Sequence, residues 1–283
     1  MTTSRLDTKF SFEFFPPRSA EGEAKLDAVH EELARLGPDF FSVTYGAGGS
    51  TREGTRQIVL RYKELGSEVA PHLSFGGLTD EDMLALLQTY KDAGISRLVA
   101  LRGDSPSGMG ASSQFRYASE LVAFIRKHTG EHFHIDVACY PEMHPQSRSY
   151  SEDVSYFKAK VEAGANSAIT QYFYNADAYF RYVDYCTAQG IDIPIVPGIM
   201  PITNYDNLAR FSKNCGAEIP QWLHHRLTDF DDDGEALREF GIDVVTKLCD
   251  TLLQGGAPGL HFYSMNLAKS ITRIWNDLGL SSR

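Results

Sequence analysis

The first residue in the chain whose setting suits chemistry is a carboxylate among aromatics, Glu13 in Phe12-Glu13-Phe14-Phe15-Pro16-Pro17. Aromatic neighbours withdraw water from a carboxyl group and raise its pKa, as a general acid working near neutral pH requires. A raised pKa is therefore expected for Glu13, with a buried structural ion pair as the competing reading. A second carboxylate, Asp104, follows Arg102 and Gly103, where glycine lets the backbone approach a ligand closely. Other polar groups stand at the ends of β-rich runs: Thr44 with Tyr45, His72, Tyr140, Gln171 and Tyr263. Each of these could instead cap a helix or bond a loop. The segment Tyr45-Gly46-Ala47-Gly48-Gly49-Ser50-Thr51 opens a helix and could set backbone N–H groups against a phosphate or a flat ring, or be a plain tight turn. It does not match GxGxxG, and no GxxxxGK followed by Ser or Thr occurs anywhere.

The elements that must position these groups alternate regularly. Strands are predicted at Lys9 to Phe14, Asp39 to Thr44, Val69 to Ser74, Arg97 to Arg102, His134 to Tyr140, Ser167 to Gln171, Ile193 to Gly198 and Gly259 to Tyr263. Between them, Leu26, Val29, Leu33 and Leu36, and later Tyr117, Leu121, Phe124 and Ile125, repeat at the spacing of one helix face. Ser50 with Glu53 fits a capping box, and Thr79, Ser151, Asn175 and Asn204 suit N-caps. Gly94, Gly164, Gly190 and Gly256 punctuate helix-to-strand junctions. Eight strand-helix units of fixed handedness predict a (β/α)8 TIM barrel, with an open doubly wound sheet as runner-up. Helical sequence at Ile219 to Leu227 and Gly234 to Leu253 adds extra helices before the last strand. With no linker or low-complexity stretch, residues 1–283 are expected to form one domain. In such a barrel the strand ends form the mouth, so the polar groups above converge there.

Composition narrows the chemistry. A formal charge of -10 and pI near 5.4 offer no basic field for nucleic acid or anionic lipid, which leaves small molecules as partners. The opening residues carry scattered charges and no long apolar run, so a cytosolic protein is expected. Cys139, Cys186, Cys215 and Cys249 form no CxxC pair, His132 and His134 enter a strand at its start, and His224 and His225 are helix neighbours that point apart. No metal is expected. A Schiff-base aldolase needs a lysine on a barrel strand, and Lys9 alone lies within one, at its beginning.

At this point the motifs resemble one family. They are Ser11-Phe12-Glu13-Phe14-Phe15-Pro16-Pro17-Arg18, Ser42-Val43-Thr44-Tyr45-Gly46, Ala70-Pro71-His72-Leu73, Ala100-Leu101-Arg102-Gly103-Asp104, Tyr140-Pro141-Glu142, Ala163-Gly164-Ala165-Asn166, Ile169-Thr170-Gln171, Pro197-Gly198-Ile199 and His261-Phe262-Tyr263. In this order they resemble the methylenetetrahydrofolate reductases in the short bacterial form, without a regulatory domain. The resemblance implies non-covalent FAD, NADH or NADPH as co-substrate, and ping-pong reduction of 5,10-methylenetetrahydrofolate to 5-methyltetrahydrofolate for methionine synthesis. It implies Glu13 as the acid that protonates the folate amine and Asp104 as a carboxylate near flavin and pterin. Gln171 would meet the pterin edge, and Phe211 would pack on folate or nicotinamide, with Tyr263 also at the substrate. Thr44, Tyr45, His72, Arg102, Gly103, Tyr140 and Lys160 match flavin-site positions, with Ala165 in a segment that supports FAD. A homo-oligomer, a tetramer, is also implied.

Two departures concern the folate tail: Leu267 stands where the family often has arginine, and Asn207 where some members have glutamine. Two alternatives stay open, one with the same folate chemistry but electrons from a protein partner, the other an FAD-binding barrel without catalysis.

Overall fold

Strand side chains alternate with a period of two, so each strand of a barrel sends one row toward the axis and the next toward the surrounding helices. The computed structural model describes residues 8–46, 51–74, 78–103, 117–230 and 233–280. Its strands are β1 (Lys9–Phe14), β2 (Phe40–Val43), β3 (Val69–Leu73), β4 (Arg97–Ala100), β5 (His134–Cys139), β6 (Ser167–Thr170), β7 (Ile195–Val196), β8 (Gly198–Ile199) and β9 (Gly259–Tyr263). All pairings are parallel, in the order β7-β6-β5-β4-β3-β2-β1-β9-β8. The segments β7 and β8 are two halves of the expected seventh strand, separated by Pro197, which has no N–H to give a ladder. One half bonds β6 and the other bonds β9, so the sheet closes nearly into a ring. The (β/α)8 expectation is met.

The helices are α1 (Ala20–Ala34), α2 (Arg52–Glu64), α3 (Asp80–Asp92), α4 (Ala118–Thr129), α5 (Tyr150–Glu162), α6 (Ala176–Ala188), α7 (Tyr205–Cys215), α8 (Gln221–Thr228), α9 (Gly234–Gln254) and α10 (Lys269–Asp277). Both α8 and α9 lie where extra helices were expected. Thr79 caps α3 in a capping box with Asp82, and the side chains of Asn175 and Asn204 cap α6 and α7.

Two cap expectations are corrected. Ser149, not Ser151, caps α5, because Ser149 already has a glutamate three residues on and its Oγ accepts from the Glu152 amide. At α2 the N-cap is Thr51, which makes no side-chain cap bond, while the Glu53 carboxylate accepts from Arg56 and Gln57. Ser50 lies outside the described residues.

The two rows have opposite characters. Phe10, Phe12 and Phe14 are fully buried beneath the helices, Phe12 against Trp275 and Phe14 stacked on Phe41 at 5.2 Å. Phe40, Ala70, Val99 and Ile169 form a separate small apolar cluster inside the ring. At the amino end of the strands, Asp136 is wholly buried and accepts from Arg97 Nε at 2.6 Å and Nη2 at 2.9 Å. The Arg97 guanidinium also covers the Phe40 ring at 4.0 Å. An apolar plug and a buried ion pair thus floor the barrel, leaving the carboxyl ends open. No helix among the described residues is long and apolar enough to cross a membrane.

Candidate active site

Period-two alternation carries Ser11 and Glu13 inward on β1, opposite to Phe10, Phe12 and Phe14. Registers place Glu13 beside Ser42 of β2 on one side and Tyr263 of β9 on the other. The Glu13 side chain is 17% exposed. Its Oε2 meets His72 Nε2 at 3.2 Å, His261 Nε2 at 3.4 Å and the Ser42 hydroxyl at 3.4 Å. His261 in turn shares a 2.7 Å hydrogen bond between Nδ1 and Ser11 Oγ.

The backbone is pinned as well. The Ser264 amide and hydroxyl both donate to the Glu13 carbonyl, at 3.3 and 2.5 Å. Two residues further, the Asn266 side-chain amide forms a reciprocal pair with the Phe15 backbone, at 2.8 and 3.0 Å. The loop after β9 therefore locks the loop after β1, with Met265 and Asn266 held at φ 53° and 55°.

The expectation of a raised Glu13 pKa is corrected. Burial does push the carboxyl up, but the charge of the His72 imidazole, with the hydrogen bond and charge of His261, outweighs it and holds Glu13 at about 2 instead of 4.5. His72 Nε2 lacks hydrogen-bond alignment despite its 3.2 Å approach, so its effect is chiefly Coulombic. The cause is geometric: Phe12 and Phe14 face the helices, and the carboxylate's neighbours come from other strands.

Several other expected residues gather at the same end of the barrel. Thr44 follows β2, its amide donating to the Phe14 carbonyl and its carbonyl accepting from Thr55 Oγ1. The Tyr45 hydroxyl is buried and has no hydrogen-bond partner among the described residues. After β4, Arg102 donates to Gln146 at 2.5 Å, and Gly103 holds φ 76° where a Cβ would meet Ser74 at 2.8 Å. Tyr140 meets His144 edge-on at 4.6 Å. Gln171 follows β6, its Oε1 accepting from the Tyr172 amide. The Tyr263 hydroxyl reaches over Gly198 to donate to the Thr170 carbonyl at 2.7 Å. Phe211 on α7 lines a cleft of about 270 Å³ with Met200, Asn207, Arg210, Met265 and Leu267.

Two further residues lie off the strand ends, Lys160 within α5 and Ala165 in the turn that follows it. Lys160 lies between α5 and the sheet, its amine donating to the Ala138 carbonyl at 2.5 Å, and burial lowers its pKa. Ala165 sits in the turn before β6, its amide bonded to the Lys160 carbonyl. That is the amino end of the barrel, opposite the mouth, because every helix-to-strand turn of this fold is at that end. Asp104 lies outside the described residues.

Ser11, Ser42, His261, Ser264 and Asn266 were not singled out from the sequence, although they hold Glu13 directly or hold its loop. A signal did exist: Ser11 is two residues from Glu13 and His261 two residues from Tyr263, the spacing that puts side chains on one strand face.

A family model described as methylenetetrahydrofolate reductase matches residues 2–279. The 5,10-methylenetetrahydrofolate reductase of Escherichia coli (strain K12) is 38% identical over 271 residues, 95% of this chain and 90% of that protein. Methylenetetrahydrofolate reductase (NADH) 1 of Arabidopsis thaliana is 39% identical over 98% of this chain, which spans about half (49%) of that plant protein. A solved uncharacterized protein from Clostridium thermocellum, described as binding two copies of 5-methyl-5,6,7,8-tetrahydrofolic acid, superposes with TM-score 0.68 at 18% identity, covering 97% of this chain and 96% of that one. At that identity it speaks to the fold alone. By its whole-length family match, this chain belongs to the methylenetetrahydrofolate reductase family.

Proposed function

We propose that this chain reduces 5,10-methylenetetrahydrofolate to 5-methyltetrahydrofolate, with NADH or NADPH as reductant and non-covalent FAD as carrier. The observation that carries the reading is Glu13, a carboxyl group projecting inward at the barrel mouth among histidines, in a chain of this family.

The mouth fits such a cofactor. At the end of β4, Gly103 leaves the backbone bare where any Cβ would strike Ser74, and Arg102 beside it offers a cation to a phosphate. The buried Tyr45 hydroxyl, without a partner among the described residues, is a further polar group for a ligand to satisfy. Thr44, His72, Arg102, Gly103 and Tyr140 would hold the group. Bound there, FAD would supply the hydride chemistry that no side chain can perform.

The chain's own residues have separate tasks. Glu13 delivers a proton to the folate amine, which makes that nitrogen a leaving group and exposes an electrophilic carbon. Gln171 offers both a donor and an acceptor to the pterin edge. Phe211 gives a flat apolar surface to a ring, and Tyr263 closes the floor beside Glu13. Asp104, by resemblance, adds a carboxylate near pterin and flavin. The product would serve methionine synthesis, and the family resemblance supports a homotetramer. The plant relatives named for NADH favour NADH as donor.

An absorbance spectrum of the purified protein, followed by anaerobic addition of each nicotinamide, tests the reading. A yellow protein that bleaches with nicotinamide and recolours with 5,10-methylenetetrahydrofolate is expected. A colourless protein that takes up no FAD would overturn it.

A further inference from the structure

His261 is wholly buried beneath the mouth, and the protein engages both of its ring nitrogens. Phe40 stacks beside the ring at 6.2 Å and Tyr263 meets it edge-on at 5.3 Å. With Nδ1 tied to Ser11 Oγ, the ring keeps Nε2 toward Glu13 Oε2. We propose that Ser11, His261 and Glu13 form a proton relay, in which His261 stores the proton that Glu13 delivers to the substrate amine. This rests on the reading of Glu13 as the proton donor to folate.

The transfers balance. The His261 imidazolium gives its Nε2 proton to Glu13 Oε2 and becomes a neutral imidazole, with its Nδ1–H directed at Ser11 Oγ. The Glu13 carboxylic acid then gives that proton to the amine nitrogen and returns to a carboxylate. Between turnovers Glu13, 17% exposed where the His261 side chain is 0%, takes a proton from water at the mouth and returns it to the ring.

A store of this kind answers a difficulty in the site. Two imidazoles hold Glu13 ionised at neutral pH, so the carboxyl group alone carries no proton to give. Among the described residues, the ionisable groups facing the unit are His72 on β3, which meets the same oxygen, and Tyr263 on β9. Beyond Phe40 stands Arg97, already paired with Asp136. His72 approaches without hydrogen-bond alignment, whereas His261 is fixed at both nitrogens. His261 acts through Glu13 and is a positioning residue.

The test uses His261→Gln, which keeps an amide near Glu13 but cannot carry a proton, and Ser11→Ala, which frees Nδ1. In the FAD-loaded protein, nicotinamide should reduce bound flavin at the ordinary rate in both variants. Reoxidation by 5,10-methylenetetrahydrofolate should slow about 100-fold in His261→Gln and a few-fold in Ser11→Ala. The loss should fall on kcat and not KM, with a changed pH profile. In the FAD-free protein, carbon NMR should show the Glu13 carboxyl titrating higher in His261→Gln than in wild type.

An unchanged reoxidation rate and pH profile, equal slowing of both half-reactions, or an unchanged Glu13 titration would overturn the relay. If the wild-type protein itself fails to reduce folate, the functional reading falls and takes the relay with it, and the wild-type control tells the two failures apart.

Discussion

His72 Nε2 stands 3.2 Å from Glu13 Oε2, so a side chain of the third strand sets the charge of one on the first. The consequence is a stability that depends on acid. Glu13 is held at about 2 in the folded chain against an ordinary 4.5, so as pH falls the unfolded chain takes up its proton first. The stabilisation is full above about pH 4.5 and is lost as pH falls toward 2, with a size on the order of 3 kcal/mol. Glu13→Gln should therefore flatten the acid limb of a plot of unfolding free energy against pH. A limb as steep as that of wild type would contradict this assignment.

Gly198 is where the barrel closes. A Cβ there would lie 2.2 Å from the Thr170 carbonyl oxygen and 2.6 Å from the Tyr263 ring. Because backbone as well as a buried ring must shift, Gly198→Ala should cost about 2–4 kcal/mol and lower Tm by roughly 5–10 °C. Thermal unfolding checks this, and a Tm equal to that of wild type would show that the strand is less tightly packed than described.

At the other end of the barrel, Asp136 and Arg97 form a two-pronged ion pair at 2.6 and 2.9 Å. Asp136→Asn leaves the guanidinium over Phe40 without its counter-charge, which should destabilise by about 3–5 kcal/mol. The folded remainder should keep the wild-type rate of flavin reduction and KM for folate, since this pair floors the barrel and does not reach the mouth. Urea unfolding beside steady-state kinetics separates the effects, and a stable variant with altered kinetics would contradict the structural role.

Leu267, half exposed, shares its cleft with Arg210. If that cleft takes the anionic tail of folate, Leu267→Arg adds a second cation and should lower KM for folate a few-fold at low salt. The gain should shrink as ionic strength rises past about 0.1 M, where exposed charges are screened. A KM that does not move at any salt concentration would place the tail elsewhere.

Much of this fold can be read from the chain because its signals are local. Strands β1 and β9 begin and end at the expected residues, and glycines at Gly94, Gly164, Gly190 and Gly256 take the positive φ that a helix-to-strand turn demands. The seventh strand is less legible, because its division at Pro197 follows from which neighbour each half bonds. Glu13 was visible as a candidate, but its protonation was not. Adjacent residues suggested an apolar setting, whereas alternation sends Phe12 and Phe14 away and brings His72 and His261 in from strands far along the sequence.

The central claim is that Glu13 passes the proton that folate reduction needs and is not needed for flavin reduction. Stopped-flow absorbance on Glu13→Gln, loaded with FAD, tests it in two steps. Nicotinamide should bleach the flavin at about the wild-type rate, and 5,10-methylenetetrahydrofolate should restore the colour at least about 100-fold more slowly than in wild type. Recolouring at the wild-type rate would contradict the account.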